Sequence, residues 1–332
     1  MGVSYKLHKK ANGFFMQHSL YSHYLNSLQT HERSAQALWN GCGFLDKFQF
    51  GSCKYAVKLS KVPDDLKHVN IRQTPFSLQR KVRSYVKEQY FYTYYAVSLP
   101  LPCYTPKVIE LHEFDGTFVT LLEDFEQHGF HNIAEASHGD IERTLKWLAG
   151  FHANWMRVGG GESSFGLLGY GNYWHLKTRP DEFEKMPDSP LKRAAHAINE
   201  KLDAVSFKTL IHGDAKLANF AFNDSSVMGY DFQHTGIGTG LADVMLLFTT
   251  VLNAEQLSSH AAYFLDIYFS ELKELIKNQN ASIDIELLES EWRESWCFIW
   301  ADFHRFLAGW KPEHPKINQY MKTQTQLALS KL

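Results

Sequence analysis

Strand-like and helix-like sequence patterns occupy different parts of this chain. Before residue 125, four short apolar runs are typical of strands, and the first two flank Gly51-Ser52 as the strands of a β-hairpin do. These runs are residues 44–50, 53–59, 107–112 and 117–123. The segment from Leu78 to Val97 contains no glycine or proline and predicts one long helix. We therefore expect a small, mostly antiparallel sheet packed against one helix.

Two further segments of this first part have weaker patterns. Residues 18–38 have apolar side chains near helical spacing and predict a helix that precedes the sheet. Residues 60–76 are polar, contain Pro63 and Pro75, and predict a loop.

Beyond residue 125 the pattern becomes helical. Ser137 is a predicted N-cap, with Asp140 in the first turn of a helix whose apolar residues fall on one face. Further helices are predicted at 191–204, 240–253, 255–278 and 283–309, and short strands at 208–211, 219–223 and 227–232. Residues 159–190 are punctuated by glycine and proline and predict irregular structure.

This division predicts an α+β chain of two lobes. The N-terminal lobe, residues 1–123, is expected to be small and β-rich, and the C-terminal lobe, residues 124–332, larger and mainly helical. A hinge is expected near Leu122–Phe125, where the last predicted strand of the sheet ends.

Composition excludes several classes of function. A formal net charge of −2 gives no electrostatic reason for binding nucleic acid or a membrane surface. No apolar run has the length of a signal peptide or a membrane span. The four cysteines, Cys42, Cys53, Cys103 and Cys297, form no paired motif, which indicates buried free thiols and a cytoplasmic protein. The 14% aromatic content predicts a large aromatic core or pocket.

The pattern with the clearest chemical meaning runs from His212-Gly-Asp214 through Asn219 to Asp231. Phosphoryl transfer requires a group that positions the hydroxyl and oxygen ligands for a metal ion that neutralises the phosphates. Asp214 and Asn219 lie five residues apart across a tight loop. Asp214 can position the hydroxyl, the amide oxygen of Asn219 can bind the metal ion, and Asp231 adds a second oxygen ligand. Each residue alone is a weak signal, but their spacing between apolar strands is specific.

These motifs resemble a known superfamily. His212-Gly-Asp-Ala-Lys-Leu-Ala-Asn219 and Gly229-Tyr-Asp-Phe-Gln233 are similar to the catalytic loop and metal-binding motif of aminoglycoside phosphotransferases and choline kinases. The N-terminal motifs resemble its ecdysteroid kinase-like branch more closely. They are Ala56-Val-Lys58, Arg80-Lys-Val-Arg-Ser-Tyr-Val-Lys-Glu88 and Leu121-Leu-Glu-Asp-Phe125. The resemblance implies a protein-kinase-like bilobal fold that uses ATP and Mg²⁺.

The resemblance also implies a role for each matching residue. Asp214 would be the catalytic base, and Asn219 and Asp231 the magnesium ligands. Lys58 would contact the phosphates of ATP, held by an ion pair with Glu88. Leu122, Glu123 and Asp124 would form the hinge whose backbone meets adenine.

Several of these residues have an alternative interpretation. Most lysine and glutamate side chains are solvated, and this is the alternative interpretation of Lys58 and Glu88. The motif spacing favours the ion pair. Lys216 either touches the transferred phosphate or is a solvent-facing loop lysine. His212 is expected to brace the loop through its ring nitrogens, and Asp243 to brace the catalytic or metal-binding loop.

The glycines do not indicate a P-loop, because no GxxxxGK[ST] sequence is present. Gly41-Cys-Gly43 lies between strand signals and is a candidate cover for the nucleotide phosphates, although a Gly-x-Gly spacing is a weak signal by itself.

Two departures from protein kinases predict a small acceptor. Gly213 replaces the arginine of the kinase His-Arg-Asp loop, so the anchor for a phosphorylated activation loop is missing. Only eleven residues, 232 to 242, separate Asp231 from Asp243, and no Ala-Pro-Glu follows. A small-molecule alcohol is therefore expected as substrate, and a protein substrate is not.

Acceptor recognition is expected from residues 160–200 and the C-terminal helices. Trp292, Trp296, Trp300 and Phe303 recur at helical spacing. They either line a pocket for a cationic or large apolar alcohol or pack into the core, and core packing is favoured.

The sequence thus predicts an ATP- and magnesium-dependent phosphotransferase with Asp214 as base. A nucleotide-binding pseudokinase without transfer activity and a helical scaffold with accidental motif matches are the two alternatives.

Overall fold

A computed structural model describes residues 19–28, 35–38, 41–63, 74–279 and 282–332. Its N-terminal lobe is built on an antiparallel sheet of five strands. The strands are β1 (Gln36–Ala37), β2 (Gly43–Phe50), β3 (Cys53–Ser60), β4 (Val108–Phe114) and β5 (Thr117–Glu123), in the spatial order β1-β2-β3-β5-β4. The predicted hairpin around Gly51-Ser52 and the two later strands are confirmed.

Helix α1 (Leu20–Ser27) covers one face of this sheet. Tyr21 and Tyr24 pack against Val57, Val119 and Leu121, which alternate with residues facing the other side. The helix predicted over residues 18–38 is too long, because Gln36–Ala37 pairs with β2 as a strand. Residues 29–34 of that prediction lie outside the described residues.

Helix α2 (Pro75–Tyr94) packs against the opposite face. Thr74 and Ser77 form a reciprocal capping box, and Pro75 occupies the first turn, where its missing N–H costs nothing. The helix therefore begins three residues before the predicted start. Most of the predicted loop over residues 60–76 lies outside the part of the chain that the structure describes.

The C-terminal lobe is mainly helical. Its helices are α3 (His138–Asn154), α4 (Pro180–Lys185), α5 (Pro190–Asp203), α6 (Leu241–Val251), α7 (Ala254–Gln279), α8 (Ile285–Trp310) and α9 (Gln319–Ser330). Ser137 and Asp140 cap α3 as predicted. Helix α4 lies in the region predicted to be irregular, and α9 was not predicted. Helix α3 packs on α7, and α8 packs on α5 and α9.

Short strands in this lobe carry the loops with the chemical motifs. They are β6 (Arg157–Val158), β7 (Phe207–Ile211), β8 (Phe220–Phe222), β9 (Val227–Gly229) and β10 (Gly236–Gly238). Strands β10, β7 and β6 form one antiparallel sheet, and β8 and β9 form a hairpin. The strand predicted over 227–232 ends at Gly229, because Asp231 has a φ of 67°, which a strand does not allow.

The four cysteines are free, as predicted. Three of them are buried, whereas Cys53 is half-buried. None of the helices described is both long and apolar enough to cross a membrane. The structure has the predicted fold class, a small antiparallel β-lobe with one packed helix and a larger, mostly helical lobe.

Candidate active site

Lys58 pairs with one carboxylate from each lobe. It lies on β3 between Leu45 and Thr120 and faces α2, on the side of the sheet opposite Val57. Its Nζ lies 2.7 Å from Oε1 of Glu88 and 2.6 Å from Oδ1 of Asp231. The side chains of Lys58 and Glu88 are 11% and 4% exposed, so the interpretation of both as solvated residues is wrong and the predicted ion pair is present.

The charges in this cluster affect each carboxylate differently. Burial raises the pKa of Glu88, which the Lys58 ammonium only partly opposes. Burial would also raise the pKa of Asp231, but the Lys58 ammonium holds it well below its usual range. Burial disfavours the Lys58 ammonium, yet Asp231 and Glu88 together raise its pKa. The positive charge of Lys58 therefore favours the ionised form of both carboxylates.

Gln233, to which no role was assigned from the sequence, extends this cluster. Its Nε2 donates to Oε2 of Glu88 at 3.3 Å, and its Oε1 accepts from Nζ of Lys81 at 3.4 Å. Glu88 thus has a partner on each oxygen, as a buried carboxylate requires.

Asp214 lies in the loop that follows the buried strand β7. Its Oδ2 accepts from Nζ of Lys216 at 2.9 Å and from Nδ2 of Asn219 at 3.0 Å. Burial raises the pKa of Asp214 above its usual range, and the Lys216 ammonium opposes that shift. Lys216, whose side chain is 40% exposed, is therefore paired with Asp214 and is not a lysine that points only into solvent.

Asn219 and Asp231 provide oxygen atoms of the kind that Mg²⁺ prefers. The amide nitrogen of Asn219 donates to both the backbone oxygen and Oδ2 of Asp214, which turns its Oδ1 away from these partners. No group of three or more His, Cys, Asp or Glu side chains that could hold a metal occurs among the described residues. Asn219 and Asp231 alone would leave most positions around a metal ion open. Such a partial set of oxygen donors fits a metal that also binds phosphates of a nucleotide.

A buried aspartate holds the backbone of the loop that carries Asp214. Oδ2 of Asp243 accepts from the N–H of His212 at 2.6 Å, and its Oδ1 accepts from the N–H of Gly213 at 2.8 Å. Asp243 also contacts Nε2 of His152 at 3.1 Å. The expected bracing role of Asp243 is confirmed, because both of its oxygens bond the loop.

The ring of His212 is buried and structural. Nε2 lies 3.0 Å from the carbonyl oxygen of Tyr230, and Nδ1 accepts from the N–H of Asp214 at 3.3 Å. The ring thereby ties the loop that carries Asp214 to the segment that carries Asp231. This is the bracing through both ring nitrogens that we expected.

Gly213 occupies a position with no space for a side chain. Its φ is 77°, and a Cβ would lie 1.9 Å from the carbonyl oxygen of His234 and 2.8 Å from the backbone nitrogen of Asn172. The arginine of the protein kinase loop is therefore excluded here by backbone contact as well as by conformation.

Gly41 and Gly43 differ from one another in their surroundings. A Cβ at Gly41 would meet open space, whereas at Gly43 it would lie 1.9 Å from the carbonyl oxygen of Leu59. Between them, the carbonyl oxygen of Cys42 accepts from the hydroxyl of Tyr85 on α2 at 3.5 Å. Close pairing of β2 with β3 thus accounts for Gly43 without a nucleotide.

The predicted hinge residues lie at the end of β5. The N–H of Glu123 donates to the carbonyl of Lys107, and that of Asp124 to the carbonyl of Lys54, each at 2.9 Å. The carboxylate of Asp124 caps the short helical turn that follows. Both backbone donors are therefore used within the fold, as is the carbonyl oxygen of Asp124, which accepts from the N–H of Gln127 at 3.2 Å.

A cavity of about 340 Å³ opens beside Asp214 and Asp231. Part of its wall is aromatic, with Tyr173 from the region 160–200 and Phe303, Phe306 and Trp310 from α8. The lining also contains basic residues to which the sequence assigned no role, namely Arg80, Lys81, Arg179 and Lys316. The two regions expected to recognise the acceptor do line this cavity, and α2 contributes as well.

The tryptophans of α8 belong to the core. Trp292 and Trp300 are fully buried and Trp296 nearly so, and all three lie in the main hydrophobic cluster. Phe303, at the end of this stripe, is also fully buried but borders the cavity. The favoured interpretation of core packing is right for the three tryptophans, and the aromatic wall of the cavity begins one turn later.

Comparison with known proteins bears on the family and the fold of the chain. Residues 169–281 match the model of the ecdysteroid kinase-like family. No curated protein sequence matches the chain. An amicoumacin kinase in complex with AMP-PNP, Ca²⁺ and Ami aligns over 96% of this chain and 95% of its own, with 10% identity and a TM-score of 0.51.

An aminoglycoside phosphotransferase mutant, in ternary complex with ADP and hygromycin B, aligns over 94% of this chain and 98% of its own. Its identity is 10% and its TM-score 0.53. At such identities the likeness concerns the fold, which in both structures is that of a small-molecule kinase. The chain shares its protein-kinase-like bilobal fold with these two small-molecule kinases, and its residues 169–281 resemble the ecdysteroid kinase-like family.

Proposed function

We propose that this protein transfers the γ-phosphoryl group of magnesium-bound ATP to a hydroxyl group of a small molecule. One observation carries the proposal. Lys58, Glu88 and Asp231 form one cluster, Asp214 is hydrogen-bonded to Asn219, and Asp214 and Asp231 border the same cavity. Phosphoryl transfer depends on positioning and on charge stabilisation, and these residues supply both.

Asp214 is the proposed base. Its Oδ2 is held by Lys216 and Asn219, and no hydrogen bond to Oδ1 occurs within the described parts of the chain. An acceptor hydroxyl in the cavity would donate to Oδ1. As the oxygen of the acceptor bonds to the γ-phosphorus, its proton passes to Asp214, the bond from the γ-phosphorus to the leaving oxygen breaks, and ADP departs.

Asn219 and Asp231 are the proposed ligands of Mg²⁺. When bound, this ion neutralises charge on the phosphates of the nucleotide. Lys58 would contact the phosphates, and Glu88 fixes the direction of its ammonium. Lys216 is either a contact of the transferred phosphoryl group or a group that orients Asp214, and its present ion pair favours orientation.

The nucleotide base would lie against Leu122, Glu123 and Asp124, with Gly41 and Gly43 near the phosphates. Because the N–H groups of Glu123 and Asp124 and the carbonyl oxygen of Asp124 are used within the fold, the carbonyl oxygen of Glu123 is the proposed contact. The proposed division into lobes falls at residues 123 and 124, at the end of β5.

The proposed acceptor is a small alcohol, not a protein, nucleic acid or membrane component. The short segment between Asp231 and Asp243 and the closed position at Gly213 leave no platform for a peptide. Four free cysteines favour a reducing compartment, and we place the protein in the cytoplasm.

The test is an Asp214→Asn variant, with Asp224→Asn, an exposed aspartate, as control. The asparagine can still accept from Lys216 and Asn219, so the fold should persist. Transfer from ATP into a metabolite extract is followed by mass spectrometry, and nucleotide affinity by calorimetry. We expect a loss of turnover of about 10²–10⁴-fold in Asp214→Asn with Mg-ATP affinity preserved.

Three outcomes would argue against the proposal. Unchanged turnover in Asp214→Asn would remove Asp214 as base. Mg-ATP binding by the natural chain without any phosphorylated product would identify a pseudokinase. No magnesium-dependent ATP binding would support the alternative of a helical scaffold.

A further inference from the structure

The cavity beside Asp214 contains more positive than negative charge. Its two carboxylates, Asp214 and Asp231, are each paired with a lysine, at 2.9 Å and 2.6 Å. Four further cations line the cavity, namely Arg80, Lys81, Arg179 and Lys316. Two of these four, Arg179 and Arg80, pair with the buried Glu182 at 3.1 Å and 3.6 Å. Five lysine and arginine side chains, with Lys216 included, and two carboxylates therefore line the cavity.

These cations divide into two groups by their neighbours. Lys81 is close to the charges of Asp231, Lys58 and Glu88, so it lies on the side proposed for the nucleotide. Lys316 is close to the charges of Asp214 and Lys216, so it lies on the side where the hydroxyl would be. Phosphate recognition therefore does not explain Lys316.

Lys316 and Arg179 are both placed on the aromatic wall. Nζ of Lys316 lies 5.8 Å from the ring centre of Phe303, and Cζ of Arg179 lies 5.2 Å from that of Phe306. The rings of Phe306 and Trp310 are stacked, with an interplanar angle of 13°. A flat apolar surface thus ends in two cationic groups.

The charge on these two groups is incompletely compensated. Burial lowers the pKa of Lys316 to about 8, and its ammonium makes no hydrogen bond or ion pair with any residue that the structure describes. Burial also lowers the pKa of Arg179, to about 10. Arg179 donates from Nη1 to Glu182 and from Nε to the carbonyl of Tyr173, while its Nη2 has no described partner. An oxyanion would stabilise both cations.

We propose that the acceptor is an organic oxyanion, a hydroxy acid whose flat apolar body packs on Phe306 and Trp310. Its acidic group pairs with Lys316 and Arg179, and its hydroxyl faces Asp214. Amine-bearing alcohols are disfavoured, because their charge would repel these cations. This inference rests on the proposed phosphotransferase function and names the class of its substrate.

The experiment compares alcohols that share a carbon skeleton and differ only in charge. Each set contains a ring-bearing hydroxy acid, its sulfate analogue, its methyl ester and the corresponding amine, built on benzene, naphthalene and steroid skeletons. Phosphoryl transfer from Mg-ATP to each compound is measured as kcat/KM. We expect the acid or the sulfate to exceed the ester by about tenfold or more and the amine to be the poorest acceptor.

A Lys316→Gln variant tests whether Lys316 causes the preference for acids over esters. We expect the ratio of kcat/KM for acid over ester to fall by about tenfold, and Lys316→Arg to restore most of it. Lys311→Gln, which changes an exposed lysine at the end of α8, serves as matched control and should keep the natural ratio.

Two results would overturn the inference while leaving the phosphotransferase function intact. One is transfer to esters or amines at least as efficient as transfer to the acids. The other is transfer to alcohols of a metabolite extract with no transfer to any anionic member of the panel. Absence of transfer to every alcohol, extract included, would instead contradict the proposed function itself.

Discussion

Nζ of Lys58 lies 2.6 Å from Oδ1 of Asp231, although 173 positions separate the two residues along the chain. The contact joins a strand of the N-terminal lobe to the segment between β9 and β10 of the C-terminal lobe. The same ammonium also neutralises the buried Glu88. Lys58 therefore has a structural role that can be separated from any contact with a nucleotide.

Replacing Lys58 by methionine should leave Glu88 buried without its cation. We expect the free energy of unfolding to fall by about 3–5 kcal/mol, measured by urea denaturation, with loss of phosphoryl transfer. Adding Glu88→Gln should recover part of the stability but none of the transfer. Lys54→Met, an exposed position on the same strand, should change stability by less than about 0.5 kcal/mol. Equal stability of the single and double variants would show that Lys58 does not compensate Glu88.

Gly213 and Gly116 form a matched pair for separating backbone strain from lack of space. Their φ angles are 77° and 68°, but a Cβ at Gly116 would meet no atom within 4 Å. Gly116→Ala should cost about 1–2 kcal/mol, the strain of a left-handed residue. Gly213→Ala should cost more than about 4 kcal/mol and abolish transfer, because the added Cβ displaces His234. Similar losses in both variants, measured by denaturation, would refute the close contact.

Trp292 and Trp300 are both fully buried on α8 but differ at the indole nitrogen. Nε1 of Trp292 donates to the carbonyl of Phe207 at 3.0 Å, whereas Nε1 of Trp300 has no partner among the residues that the structure describes. Trp292→Phe should therefore cost about 1 kcal/mol more than Trp300→Phe. Thermal or urea unfolding of the two variants provides the comparison, and an equal or reversed order would contradict it. Because neither ring borders the cavity, the acceptor KM should stay unchanged in both.

His304 should make stability depend on pH in a defined window. Burial, aided by Lys322, lowers its pKa from 6.5 to about 4, so the folded protein holds this ring neutral. The unfolded chain takes up the proton as the pH falls through 6.5, while the folded chain does so only near 4. Stability from this group is thus present above pH 6.5 and is lost as the pH falls toward 4.

The corresponding variant is His304→Gln, which can keep a hydrogen bond to Oγ1 of Thr325, now 2.9 Å from Nδ1. We expect the loss of unfolding free energy between about pH 7.5 and about pH 4.5 to shrink by on the order of 2 kcal/mol. Denaturation at both pH values measures it. An identical loss in the natural chain and the variant would mean that His304 is protonated in the fold.

Local signals explain which elements the sequence predicted. The cap at Ser137 and the hairpin at Gly51-Ser52 are set by residues next to each other in the chain, and both were predicted correctly. Strands β6 and β10 span two and three residues and exist because β7 pairs with them on both sides. No local pattern of that length identifies a strand. The same holds for β1, which interrupts a sequence with helical spacing.

The residues of the candidate site also differ in whether a local sequence motif identifies them. Lys58, Glu88, Asp214, Asn219 and Asp231 lie in motifs with characteristic spacing, and the structure brings them together. The residues of the cavity wall do not form a motif. Tyr173 and Arg179 come from a loop region, Phe306 and Trp310 from the end of α8, and Lys316 from the turn before α9. Only the packing of the C-terminal lobe brings these side chains together, so the charge of the acceptor could not be proposed from the sequence.

The close approach of Gly213 to His234 also limits how this protein could evolve. An arginine at that position would supply the anchor that a phosphorylated activation segment requires, but the backbone of His234 occupies its place. A single substitution therefore cannot turn this loop into a phosphorylation-controlled switch. The segment from 231 to 243 would have to be rebuilt first.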